Sequence, residues 1–478
     1  MLPPSAMEQE NRHDRLGITI AVGLMVAVVF TALAFGAVEP WSMFLFELLV
    51  VALIALWAAR VVLNKRLKVV VPGAALPLAA LVLLGIIQSV TIPDKTGRWM
   101  SLSMDAGSTR STVAALVFML AALVLISSTF TTHKRLSVLS AFLVVYGLAL
   151  AMFALVQHFT WDGRFYWLRP TLATSPFGPF ANHNHFAGYM ELLIPLPIGL
   201  VIARQGRGEI RLLYIFAAAM MGVAAIASLS RGGMISLTAG MMFVGVLGMR
   251  LKREKRSGRV AMFFSQAVVM IAIMSVIAVG IFWIGADPVI KRVTQGQAAD
   301  NAPAKETFLS SRGWIWRDTF SMIRANPVLG VGLGAYETAY PIYSESDGSL
   351  RVPQAHNDYL QVTADAGIVG ALIAVWFIVA IYRTVSRGIG SRDPLLAGLA
   401  LGSGGGIFAM LVHSMFDFNL QVPSNALLFL LLVAVASSVA AAVPVEKLAH
   451  QQISRRGAEE HAAATVIQRV VRSSEATP

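Results

Sequence analysis

From His356 to Tyr382 the chain reads HNDYLQVTADAGIVGALIAVWFIVAIY. A polar opening, His356-Asn357-Asp358-Tyr359-Leu360, runs into an apolar stretch with Gly367 and Gly370 near its start. The whole is long enough to cross a bilayer, which takes about 20 residues. Packing against lipid gives no reason to keep a histidine here. The stretch therefore predicts a spanning helix over 366–382 with a polar centre at its mouth. Asn357 and Asp358 suit a helix N-terminus, where side-chain oxygens accept backbone N–H groups and the dipole favours a carboxylate. Gly367 and Gly370, three apart, let a second helix approach closely. An imidazole seated in such a place is suited to taking a proton near neutrality, so His356 is the candidate catalytic group.

The rest of the chain has the same character. Of its 478 residues 56% are hydrophobic and 13% charged, with a mean hydropathy of +0.68, far from the balance of soluble domains. The reading is an all-α polytopic membrane protein. Apolar runs of spanning length fall at 16–36, 43–62, 70–90, 112–130, 136–158, 186–203, 210–229, 233–250, 260–284, 366–382, 395–415 and 424–443, about twelve transmembrane helices. The formal charge of +12 could suggest nucleic acid. The Lys and Arg, however, cluster in short runs between apolar segments, such as Arg60/Lys65/Arg66/Lys68 and Arg250/Lys252/Arg253/Lys255/Arg256/Arg259, which is the pattern that orients membrane helices. No nucleic-acid partner is expected; membrane lipids are. Cysteine is absent, which removes disulfides and thiolate metal sites.

Twelve spans put both termini on one side. If that side is cytoplasmic, most of the 38 Lys and Arg lie inside, as the charge rule requires. The organisation expected is a cytoplasmic tail over 1–15, nine helices over 16–284, a large periplasmic loop over 285–365, three helices over 366–443 and a cytoplasmic tail over 444–478, with an amphipathic piece at 462–471. A loop that long is more often functional than connective. Its first part, 295–306, is polar and contains Ala and Pro. Its second opens at Ser310-Ser311-Arg312-Gly313-Trp314-Ile315-Trp316-Arg317, where a serine N-cap begins a helix that stops at Asn326-Pro327. Ile315, Thr319/Phe320 and Met322/Ile323 recur at helical spacing, which suits a helix lying on the membrane surface and holding Arg312 beside the bundle.

Several other groups bear on chemistry. Arg231, in Ser230-Arg231-Gly232-Gly233, sits in a tight outward turn between two spans; alone it could be an anchoring arginine. With Arg312 and a base on the same face it makes a site for a diphosphate, because guanidinium forks match phosphate oxygens. Asn182-His183-Asn184-His185 forms a polar mouth to the sixth span. Its histidines, two apart, share one side of a strand but not of a helix, and no carboxylate pair joins them locally, so a metal site is disfavoured. Arg169 and Arg317 join the possible substrate contacts. His413 and Asp417, four apart on one helix face, are expected to support the site through a structural hydrogen bond. Glu39, in Glu39-Pro40-Trp41, is a weaker candidate. Gly330-Val331-Gly332-Leu333-Gly334 resembles a phosphate cradle but lacks the following Lys and the nucleotide fold, so a close-packed turn is the better reading.

His-Asn followed by Gly-x-x-Gly at 356–370, the Ser-Arg-Gly-Gly at 230–233, the opening at Arg312–Trp316 with Pro327, Gly330 and Gly332, and Asn184-His185-x-x-Gly188 together resemble the O-antigen ligase and polymerase superfamily. The resemblance spans roughly 150–420. It implies a C-type glycosyltransferase fold in the bacterial inner membrane, acting on the periplasmic face. It further implies a donor glycan on undecaprenyl pyrophosphate and a lipid or glycan acceptor, lipid A-core for a ligase and another lipid-linked repeat unit for a polymerase. His356 would be the general base, with Arg231 and Arg312 on the diphosphate. Asn357, Asp358, Arg169, Asn182, His183, His185, Arg317, His413 and Asp417 would contact substrate or support the site. Ligases of this type invert and use no metal or cofactor. A polymerase of O-antigen or exopolysaccharide, a protein-glycosylating relative, and a transporter or flippase of an anionic lipid-linked substrate stay open.

Overall fold

The computed structural model describes residues 4–65, 69–93, 99–171, 173, 175–250, 308–344 and 351–443. The expected span at 260–284, the polar stretch 295–306 and the tail over 444–478 lie outside them. Among the described residues ten helical segments, one of them broken in two at Ile194-Pro195, are long and apolar enough to cross a membrane; with almost no sheet beside them, the chain is an all-α polytopic membrane protein.

The elements in order are α1 (Pro4–Leu33), α2 (Pro40–Asn64), α3 (Ala75–Ser89), α4 (Ala106–Thr129), α5 (His133–Phe159), α6 (His183–Leu193), α7 (Pro195–Ile202), α8 (Gly208–Ala227) and α9 (Arg231–Arg250). After the undescribed segment come α10 (Phe308–Ala325), α11 (Tyr336–Tyr343), α12 (Asp358–Gly388), α13 (Pro394–His413) and α14 (Pro423–Val443). Helix starts follow local chemistry. Asp105, Thr132, Asn182, Asn357 and Asp393 each accept a backbone N–H of their own first turn, and Pro40, Pro195 and Pro394 occupy first-turn positions whose N–H would have no partner.

Three expected spans differ in detail. The third is only Ala75–Ser89, 15 residues, because the chain turns at Pro72-Gly73 before it; at about 1.5 Å per residue it falls short of a full crossing. The sixth is split into α6 and α7 at Ile194-Pro195, where proline removes a helical donor. The tenth begins at Asp358, eight residues before the apolar run, and turns at Gly367, whose φ of 61° lies outside the helical region.

At the centre stands α13, packed on α7 and α9. The approach is close enough that a Cβ on Gly402 would lie 2.6 Å from the Leu196 α-carbon and one on Gly199 2.5 Å from the Gly398 carbonyl. In lipid, where apolar side chains gain little by leaving the solvent, such backbone proximity supplies the packing. The glycine run of the loop works in the same way. Gly330, Gly332 and Gly334 all have positive φ, and a Cβ on Gly330 would meet the Ala366 nitrogen at 2.4 Å. Reciprocally, a Cβ on Gly367 would meet the Val328 carbonyl at 2.3 Å. Pro-x-x-Gly-x-Gly and Gly-x-x-Gly thus interlock. Val331 and Gly332 donate to the Ala364 and Asp365 carbonyls at 2.9 Å, and Gln88 of α3 ties Leu329, Leu333 and Asp365 together. The close-packed turn expected at 330–334 is what forms.

α10 ends before Asn326-Pro327, as the sequence requires, but starts at Phe308, which puts Ser310 and Ser311 inside the helix rather than at its cap. Its apolar stripe, with Ile315 and Met322 buried, faces α11 and the segment before α12. Asp318 on the same face accepts from Tyr340 and Ser344 at 2.9 and 3.0 Å. The periphery of the bundle therefore carries a small packed unit, and that unit holds Arg312 in place.

Candidate active site

The site is assembled on the turn between α13 and α14. His413 ends α13, and the backbone then folds through 414–418, with Phe416 and Asp417 donating to the His413 carbonyl. This turn is stitched to the start of α12. The Asp358 backbone donates to the Ser414 carbonyl at 2.8 Å, and Asn357 donates through Nδ2 to Met415 at 3.0 Å. The Asp358 carboxylate accepts from Ser414 Oγ at 2.9 Å, and from the Leu420 N–H and Gln421 Nε2, each at 3.3 Å. Asn357 and Asp358 thus have opposite tasks from one another: the first caps α12 through Oδ1 at 3.0 Å, and the second latches the neighbouring turn.

That latch brings Asp417 to His356. The Asp417 Oδ1 lies 3.3 Å from His356 Nδ1, while its Oδ2 accepts from Asn184 Nδ2 at 2.7 Å and faces the Arg312 guanidinium at 3.7 Å. Arg312 also donates to the Phe416 carbonyl. Burial alone would raise the Asp417 carboxyl, but the His356 hydrogen bond and the Arg312 charge outweigh it and hold the group well below the usual carboxylate range. Burial draws the Arg312 guanidinium down, and Asp417 opposes that. His356 itself is 28% exposed against 1% for Asp417. Its backbone has φ 49°, a left-handed position that non-glycine residues seldom take, and its ring packs edge-on to Phe418, centroids 5.0 Å apart. With Nδ1 turned to the carboxylate, Nε2 is the nitrogen left to meet a substrate.

The other expected residues divide. Asn182 caps α6 and His185 packs edge-on to Phe418, centroids 5.0 Å apart, so this polar mouth reaches the centre through Asn184 and His185; His183 opens the same helix, its backbone N–H bound to the Ser175 carbonyl. Arg231 begins α9, and its neighbour Gly232 lies against His413 and Phe416, since a Cβ there would meet His413 Nε2 at 3.0 Å. Two arginine-bearing helix starts, of α9 and α10, therefore converge on the 413–418 turn. Arg169 is elsewhere, paired with Glu39 at 2.7 Å and seated 4.6 Å over the Phe35 ring; that hydrogen bond, against slight burial, holds the Glu39 carboxyl below its ordinary value. Arg317 lies along its neighbour Asp318 at 3.2 Å.

His413 does not make the expected side-chain bond to Asp417. Its Nδ1 pairs with Glu191 Oε1 at 3.0 Å, and Glu191 Oε2 accepts from Ser236 Oγ at 2.5 Å. The helix ends at His413, so Asp417 is no longer one turn above it on the same face. Glu191 and Ser236 were not anticipated. A carboxylate in the middle of an apolar span was the available signal.

On the far side of the 414–421 turn a cavity of about 440 Å³ runs down between α3, α4, α12 and α14, walled by Leu116, Phe377 and Leu430 and bordered at its polar end by Asp358, Gln361 and Gln421.

Residues 216–388 match the family model described as O-Antigen ligase; no curated protein matches the chain at a significant level. The matched segment carries Arg231, Arg312 and His356, while Asn184, Glu191, His413 and Asp417 come from outside it and complete the same cluster. Over this segment the chain is similar to the O-antigen ligase family.

Proposed function

We propose that the protein is a membrane glycosyltransferase of the ligase type, moving a glycan from undecaprenyl pyrophosphate to an acceptor such as lipid A-core. In this reading the site faces the periplasm, both termini are cytoplasmic and the membrane is the bacterial inner membrane. The observation that carries it is the His356–Asp417 pair beside Arg312, in a chain whose residues 216–388 match the O-antigen ligase family model.

The chemistry follows from the parts. Asp417 orients the imidazole so that Nε2 can take the proton of an acceptor hydroxyl, and the freed oxygen forms the new bond to the anomeric carbon. The bond from that carbon to the diphosphate breaks on the opposite face, inverting the centre, and the electron pair leaves with phosphate. Arg231 and Arg312 would offset the charge gathering there. General-base help is worth about 10² to 10⁴ in rate, and fixed cations at a departing phosphate add several kcal/mol, on the order of an oxyanion donor. The donor is activated by its own pyrophosphate, so no nucleotide is required. The cavity below the turn, apolar along its length and polar at one end, has the character an isoprenoid-borne substrate needs.

A polymerase would use the same groups. Purified protein reconstituted with an undecaprenyl-pyrophosphate-linked glycan, with and without lipid A-core, separates the two. Glycan on lipid A-core is the expected product. Longer chains still on the lipid carrier would make it a polymerase, and transfer to neither acceptor would reject the ligase reading and favour a transporter of the lipid-linked substrate.

A further inference from the structure

Between α5 and α6 the chain forms a hairpin of two short antiparallel strands, Arg164–Phe165 and Arg169–Pro170. Its tip is Tyr166-Trp167-Leu168. The Leu168 N–H donates to the Phe165 carbonyl at 3.0 Å, which draws the chain into a tight turn. Tyr166 and Trp167 there have φ of 55° and 58°, in the left-handed region that hairpin turns normally reserve for Asn and Gly. Two bulky aromatic residues in such positions are held under conformational strain.

Tyr166 has an internal use. Its ring stacks on Phe153 of α5, centroids 5.5 Å apart, and its hydroxyl donates to the Leu33 carbonyl at the end of α1. The rest of the tip turns outward. Trp167 is 38% and Leu168 79% exposed, and Trp161 at the base of the hairpin is exposed as well. Burial within the chain therefore does not account for Leu168. The Trp167 indole N–H is satisfied by Thr160 Oγ1 at 3.0 Å, which leaves its ring free of an unmet polar demand.

The neighbouring surface of α5 indicates what covers this tip. Val138, Val145, Met152, Val156 and Phe159 are all exposed, and their spacing puts them on one face of the helix. In a spanning helix an exposed apolar face meets lipid. That face ends at Phe159, two residues before Trp161, and Trp167 packs edge-on to Phe153, next to Met152, with centroids 6.2 Å apart. The hairpin thus carries the lipid-facing surface of α5 past the end of the span, to the level where Trp and Tyr gather in membrane proteins. Asp162 and Arg164, also at the base of the hairpin, are exposed polar groups.

We infer that this hairpin is an interfacial anchor, with Leu168, Trp167 and Trp161 seated among the headgroups and first acyl carbons of the leaflet at the His356 end of the bundle, and Asp162 and Arg164 in the polar layer. Rings that are apolar in body and polar at one edge suit that boundary. A second copy or a soluble partner would not need continuity with the lipid-facing side of α5; the bilayer does. The anchor is tied to the site. His158 in the last turn of α5 packs on Phe177 with centroids 4.9 Å apart, Phe177 packs on Phe186 of α6 at 4.7 Å, and Asn184 of that helix holds Asp417. The hairpin therefore keeps the centre around His356 at headgroup depth.

The chain contains no cysteine, so single thiols can be introduced without removing others. The full protein carries a nitroxide at Leu168→Cys, Val145→Cys or Arg351→Cys and is reconstituted in vesicles of dioleoylphosphatidylcholine and dioleoylphosphatidylglycerol. Electron paramagnetic resonance then reads the access of each label to oxygen, which enters lipid, and to a nickel chelate, which stays in water. Val145→Cys, on the exposed face of α5, reports the acyl region, and Arg351→Cys, whose parent side chain is 83% exposed, reports water. The label at 168 should lie about 5–10 Å inside the headgroup boundary, favouring oxygen over nickel but less strongly than the label at 145. A label at Trp161→Cys should fall at the same level. Water-like access at either hairpin position would overturn the inference. So would dipolar broadening between labels at 168, which would put a second copy on the tip in place of lipid.

Discussion

Two histidine–carboxylate pairs lie on either side of one short turn, and their surroundings give them different uses. In His356–Asp417 the carboxylate is buried and the imidazole reaches the surface at 28% exposure. In His413–Glu191 both partners are sealed at 1% and Ser236 closes the remaining side. The first pair has a ring nitrogen that a substrate can meet. The second holds α6, α9 and α13 in register. Residue type does not separate these two histidines; access does.

The largest effect that would sharpen this contrast is on catalysis. His356→Ala should lower glycan transfer about 10²- to 10⁴-fold while leaving thermal stability in detergent and donor retention close to the parent; undiminished transfer would remove the base from His356. The opposite signature is expected at the sealed pair. Glu191→Ala strands His413 in the interior, and breaking such a buried pair costs about 3–5 kcal/mol, visible as a large fall in the thermal midpoint of the solubilised protein. A midpoint equal to the parent's would mean that the second pair does not secure the helices.

Smaller changes probe the cations around the turn. Arg312→Ala or Arg231→Ala should each weaken retention of lipid pyrophosphate by about tenfold or more, in line with about 1.5–3 kcal/mol for a hydrogen bond to a charged group. Binding of equal strength in parent and both variants would reject the diphosphate site. The smallest effect is at Glu39–Arg169, a partly exposed pair whose worth is about 1 kcal/mol or less. Because the Glu39 carboxyl is held below its ordinary value by Arg169, its contribution is present above the usual carboxylate range and lost as pH falls through the lowered value. The small stability gap between the parent and Glu39→Gln should therefore close on acidification; a gap that widened would show the sign to be wrong.

Much of this was legible beforehand for identifiable reasons. Chain length between polar breaks marks a spanning helix because lipid offers the backbone no partners, and so the runs near 112–130, 136–158 and 395–415 became α4, α5 and α13. Pro327 ended α10 and Asn357 capped α12 because both act within a few residues. Arg169 stands apart from the turn at 413–418, its guanidinium paired with Glu39, 130 residues away. Nothing in the local pattern at 169 favours that partner over the turn at 413–418.

By itself, then, the sequence determined the membrane class, the positions of the apolar helices and the identity of His356, Arg231 and Arg312 as the groups worth watching, because hydrophobic length, capping and the chemistry of lone polar residues are short-range properties. The tertiary structure decided who meets whom. Asp417, 61 residues from His356, became its carboxylate, while Glu191, 222 residues from His413, claimed the histidine that shared Asp417's stretch of chain. The glycines at 330–334 gained meaning only against Ala366 and Val328. Such pairings depend on backbones brought within contact by packing of distant helices, and no spacing along one strand of sequence carries that distance.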